Sequence, residues 1–236
     1  MTTPSQLKRF THPLTWTGGG SHGLSIRYRD PSPARLRAAR DALWSFPELE
    51  GCWRRNDREP SAASRLASTW GLDASQPLYG LASLPGILGV ACQARAWRDE
   101  HGAGDDCPLC RELARSAGPP VGWLSLLFPF GALGLAYPLG RYPVADGTSL
   151  AWRSEVDGWL RGLAEHVHRV APFELAVLGW MDGAGLLPGS AAEVPEERSL
   201  GYLFPEGEGL AWFPPTRGAP LDDDLPDLDP TFDLAS

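Results

Sequence analysis

The sequence has almost no lysine and almost no asparagine. Lys8 is the single lysine among 21 basic residues, and Asn56 is the single asparagine. A bias this uniform most simply reflects GC-rich coding, so the arginine richness is not read as phosphate binding. The stretch from Met1 to Trp16 lacks the apolar core of a secretory signal. Long hydrophobic runs are missing too. The longest, Trp123 to Tyr137, is broken by Pro129 and falls short of the ~20 residues that span a bilayer. The expectation is a cytoplasmic chain with no membrane partner, its four cysteines reduced by default. A general nucleic-acid binder needs a basic footprint, and none stands out.

What is present is a near-average globular composition, 43% hydrophobic and 21% charged, which excludes wholesale disorder and collagen-like fibres. The net charge of -8 is unevenly spread. Residues 1–100 carry 13 Lys/Arg against 9 Asp/Glu, and residues 101–236 carry 8 against 20. Six of those acids are Asp222, Asp223, Asp224, Asp227, Asp229 and Asp233. The basic front half suits an acidic partner, or the chain's own tail.

Residues 1–22 read as an extended N-terminal arm ending in the glycine loop Thr17 to Ser21. Leu24 to Arg29 alternates as a half-buried strand, with Leu24, Ile26 and Tyr28 on one face. Ser32 caps a helix that starts at Pro33, and Leu36, Ala39 and Leu43 form its apolar stripe. Cys52 to Ser64 reads as loop or sheet edge, and Leu78 to Gln93 as strand around Pro85-Gly86. A short helix is expected over Cys107 to Arg115, a strand over Trp123 to Phe128 and another over Gly134 to Tyr137. The longest helix covers Ala151 to Val170, burying Val156, Trp159, Leu160, Leu163, Val167 and Val170. Glu174 to Trp180 is a strand, and Leu200 to Phe204 and Leu210 to Phe213 form a hairpin. This predicts an α+β fold: mostly antiparallel sheet with two main helices on one face. The strand–helix–strands order occurs twice, giving one domain over 23–217 with halves 23–118 and 119–217, then a flexible acidic tail over 218–236.

Cys107-Pro108-Leu109-Cys110 is the most chemical-looking motif. Two thiols at this spacing can stay ordinary reduced cysteines, close a small redox disulfide or share a metal, and Cys92 and His101 could complete four zinc ligands. The spacings match no strong finger pattern, and the preceding Asp105-Asp106 opposes a thiolate. Gly19-Gly20-Ser21-His22-Gly23 matches G-x-S-x-G literally, but a strand follows the serine where a hydrolase elbow needs a helix. His166 and His168 are two residues apart on a helix and diverge. His168, nearly opposite the apolar stripe, is expected to be solvated. Of the ten tryptophans, Trp123, Trp159 and Trp180 are expected in the core. Trp53, beside Arg54 and Arg55, reads as an exposed interface patch or, equally, as a ring stacked with Arg within the fold.

The tail interleaves Asp222, Asp223 and Asp224 with Leu225, Leu228 and Phe232, a pattern that can dock into a groove on this chain or on a partner. These features favour a non-enzymatic protein-binding module of the inhibitor or immunity type, binding an unidentified protein through Trp53, Arg54, Arg55 and the tail, with no cofactor. The alternative is a zinc- or thiol-dependent enzyme centred on Cys107 and Cys110.

Overall fold

Alternating apolar residues and helical stripes build one sheet with helices across it. A computed structural model describes residues 10–16, 20–66, 69, 73, 75–99, 121–136, 147–180 and 187–218. In chain order these form α1 (Pro13–Trp16), β1 (Ser21–Tyr28), α2 (Pro33–Trp44), β2 (Leu49–Trp53), β3 (Leu78–Leu84) and β4 (Ile87–Asp99). There follow β5 (Val121–Pro129), α3 (Phe130–Ala136), α4 (Gly147–Val170), β6 (Leu175–Trp180), β7 (Gly201–Glu206) and β8 (Gly209–Phe213). α2 starts where expected: Ser32 Oγ accepts from the Arg35 N–H at 3.4 Å, and Pro33 occupies the first turn.

The eight strands form one sheet in the order β2-β3-β4-β5-β1-β6-β7-β8. Every neighbouring pair is antiparallel. The fold is therefore α+β with a mostly antiparallel sheet. Each long helix returns the chain to a strand beyond its neighbour. α2 carries it from β1 to the far edge at β2, and α4 carries it from β5 past β1 to β6. One helix separates β1 from β2, β3 and β4, whereas α3 and α4 both lie between β5 and β6, β7 and β8, and the two groups interleave, because β1 lies between β5 and β6.

α2 and α4 contact each other and pack on one face of the sheet. Leu24, Ile26 and Tyr28 of β1 and Leu124, Leu126 and Phe128 of β5 meet Leu36 and Leu43 of α2 and Val156, Leu160, Leu163 and Val167 of α4, all essentially sealed from solvent. Each such side chain contributes about 1.5–3 kcal/mol of apolar burial. The opposite face is covered at both ends. At the β2–β3 end, Phe10 and Trp16 pack edge-on against Trp53 and Tyr79. At the other end, Leu187, Val194 and Leu200 pack on Leu175, Val177, Tyr202 and Phe204.

Several expectations change. The segment read as an extended arm enters the core: Phe10 is fully buried, Pro13–Trp16 is helical, and Trp16 Nε1–H donates to the Phe10 carbonyl at 2.6 Å. β1 begins at Ser21, so Ser21 lies in the strand and not in the glycine loop, and His22 belongs to the strand and not to the arm. Residues 134–136, expected in a strand, belong to α3, whose helical turn places Phe130 and Leu133 together in the core. Val170, expected in the stripe of α4, is 59% exposed. The stripe continues instead from Val167 to Ala171, one helical turn on, where Ala171 is buried. His168, expected in solvent, is half-buried; its Nδ1 accepts from the Phe173 N–H at 3.2 Å and its ring packs on Phe173. Among the described residues no helix is long and apolar enough to cross a membrane.

Candidate interaction surface

Between the two covered ends of the outer sheet face lies a strip on β4, β5 and β1. Side chains alternate faces along a strand, and the register places Trp97, Trp123 and Arg27 in one row, Arg95, Ser125 and Ser25 in the next, and Gln93 and Leu127 in the third. Two contacts fix this assignment. The Trp97 and Trp123 rings stack with centroids 6.2 Å apart and planes 17° apart. The Ser25 and Ser125 hydroxyls hydrogen-bond at 2.5 Å. Arg95 is exposed, and Gln93, Trp97, Trp123 and Leu127 are half-buried. Trp123, expected in the core, thus presents its ring on the outer face. At the Gln93–Leu127 end the strip runs into a cleft of about 270 Å³, also lined by Trp16, Ser21 and Asn56.

The strip is rich in arginine. Arg27 and Arg29 share the single carboxylate of Glu174, at 2.8 Å and 3.0 Å. Two positive charges there meet one negative, and Arg95 adds another. A flat aromatic pair with arginines beside it can bury apolar area and pair with carboxylates, the combination that dominates protein interfaces.

The residues singled out from the sequence fare differently. Trp53 is buried, 5% exposed, which corrects its reading as a surface anchor. The β2–β3 register shifts between Gly51 and Trp53. The indole faces Phe10, 5.9 Å away, and its Nε1–H donates to the Ser61 carbonyl at 3.1 Å. Arg54 and Arg55 are exposed, and Arg55 pairs with Asp57. Cys92 is fully buried in the core on β4, where burial pushes its thiol pKa up. His101, Cys107 and Cys110, and likewise Asp222, Asp223, Asp224, Leu225 and Leu228, lie outside the described residues. Among the described residues no group of three or more His, Cys, Asp or Glu is placed to hold a metal ion.

A second feature went unread in the sequence. His22 Nε2 and Asp157 Oδ1 lie 2.8 Å apart, and Arg153 Nε donates to Asp157 Oδ2 at 2.8 Å. Arg153 also donates to the Leu178 carbonyl at 3.0 Å and to the Ser199 carbonyl. All three side chains are almost completely buried. Burial lowers the His22 pKa, outweighing the opposing hydrogen bond with Asp157. The imidazole is therefore neutral and donates its Nε2–H. Burial would raise the Asp157 pKa, but the His22 hydrogen bond and the Arg153 charge outweigh it and hold the carboxylate ionised. Both carboxylate oxygens are committed, so the cluster latches α4 to β1, β6 and the approach to β7. A signal for it existed: His22 continues the Leu24, Ile26, Tyr28 alternation, and Arg153 and Asp157 share the apolar stripe of α4.

A wider cavity of about 610 Å³ sits beside α2 and β2, lined by Asp41, Trp44, Cys52 and Arg65 among others. Burial pushes the Cys52 thiol up to about 12, so it is not a thiolate nucleophile at neutral pH.

Comparison with protein families, with curated proteins and with solved structures finds no match to this chain, so a functional reading has to come from the surface and the buried cluster just described.

Proposed function

We propose that this chain is a non-catalytic protein-binding module of the inhibitor or immunity type, and that its contact surface is the strip around Trp97, Trp123 and Arg95. The observation that carries the reading is the stacked Trp97–Trp123 pair beside the exposed Arg95, on the sheet face away from the helices. Aromatic rings half-open to solvent next to arginine make an anchor for an extended or helical segment bearing carboxylates and apolar side chains. The His22–Asp157–Arg153 cluster supports a non-catalytic role, since its side chains are almost completely buried and its hydrogen bonds hold α4 to β1 and β6. Free, buried Cys52 and Cys92 support a reducing, cytoplasmic setting.

A random peptide library displayed against the full chain tests this. Enriched peptides should combine Asp or Glu with Leu, Phe or Trp. Their binding should fall at least about tenfold in Trp97→Ala and in Arg95→Glu, and stay unchanged in Arg55→Ala. Enrichment indifferent to both strip substitutions, or no enrichment, would overturn the assignment of this face.

A further inference from the structure

Resting on that surface, we propose that residues 219–236 of this chain are an intramolecular occupant of the Trp97–Trp123–Arg95 strip, so that an external partner binds by displacing them. Three observations point to this occupant. The first is charge: the segment carries six aspartates and no Lys or Arg, while the strip offers Arg95 and the Arg27–Arg29 pair that shares one carboxylate. The second is apolar content. Leu225, Leu228 and Phe232 are spaced among the acids, and stacked tryptophans with partly open rings are a surface on which such side chains bury area.

The third is reach. The register runs in one continuous row from Arg95 through Ser125, Ser25, Val177 and Tyr202 to Phe213, the last residue of β8. β8 therefore ends level with Arg95, five strand spacings away, or roughly 24 Å at about 4.8 Å each. The chain is described to residue 218. Beyond it, the segment spans up to about 60 Å if extended, enough to cross the sheet with residues to spare. Tethering matters energetically. A linked segment acts at an effective concentration on the order of millimolar, so contacts that bind the free peptide only modestly keep the tethered segment mostly bound. The apparent affinity for an outside acidic segment then falls by the fraction of strip left open.

The test uses full-length chains and one probe, a fluorescein-labelled synthetic peptide of residues 219–236. A variant with Asp222, Asp223, Asp224, Asp227, Asp229 and Asp233 all changed to Asn frees the strip without shortening the chain. The peptide should bind this variant at least about tenfold more tightly than the native chain, and more weakly as salt rises. Adding Arg95→Glu to the Asn variant should abolish the difference. Arg95 is exposed, so that substitution leaves the fold intact, and thermal melting checks this. Equal, Arg95-dependent binding to native and Asn chains would overturn the occupancy while leaving the strip a binding surface. Absence of peptide binding, with library peptides still captured through Trp97, would likewise overturn the occupancy alone. Failure of both probes would overturn the surface as well. Sedimentation of the native chain should show a monomer. An Arg95-dependent dimer would mean that the segment docks on a second copy, which overturns the intramolecular form.

Discussion

His22 of β1 and Asp157 of α4, 135 residues apart in sequence, meet at 2.8 Å in the interior, with Arg153 on the other carboxylate oxygen. The pair ties the central strand to the helix that crosses it. Removing one partner leaves the others buried without compensation. Asp157→Ala should therefore cost about 3–5 kcal/mol, read as a shift of the urea midpoint at unchanged slope. A cost under about 1 kcal/mol would show that the cluster is not a latch.

The same cluster gives stability a pH dependence of definite sign. Burial holds the His22 pKa below its ordinary 6.5. Above that value the imidazole is neutral in both folded and unfolded chains. As pH falls below it, the unfolded chain takes up a proton that the folded chain refuses, so stability declines with acid. Half-buried His168 acts in the same direction. Asp157, held below the usual 3.8, adds a further loss at lower pH. The melting temperature should drop between pH 7.5 and 5, and His22→Gln should flatten that slope even if it lowers the starting stability. An unaltered slope in the variant would assign the titration elsewhere.

Two glycines should respond oppositely to alanine. At Gly179, φ is +139° and an added Cβ would lie 2.5 Å from Arg153 Nη2, so Gly179→Ala should destabilise by about 1–3 kcal/mol. At Gly158, within α4, an added Cβ meets nothing within 4 Å, so Gly158→Ala should stabilise by about 0.5–1 kcal/mol through helix propensity. Melting curves of the two variants, displaced in opposite directions from the native one, are the expected result.

Trp53 and Arg55 separate core from surface. Trp53→Ala should cost about 3–5 kcal/mol as a buried aromatic truncation, whereas Arg55→Ala should stay within about 0.5 kcal/mol of native. Comparable small effects for both would restore Trp53 to the surface.

Local chemistry made much of the fold legible. The Ser32 cap with Pro33, the alternation from Leu24 to Tyr28, the stripe from Val156 to Val167 and the hairpin over β7 and β8 each follow from spacing and turn residues within a few positions. From them the α+β class and the antiparallel sheet were readable. Local pattern failed where a residue's partner is far away in the chain. Trp53 sits in polar sequence, yet Phe10, more than forty positions upstream, closes over it. Trp123 sits in an apolar run, yet it lies on the outer face between the two described covers, where its ring is only half-buried. Alternation says that a strand has two faces; only the stacking of helices and segments on the sheet decides which face is sealed. The same limit hid His22 and Asp157. Each is an ordinary polar residue on an apolar face, and only the crossing of α4 over β1 turns the two into one buried pair.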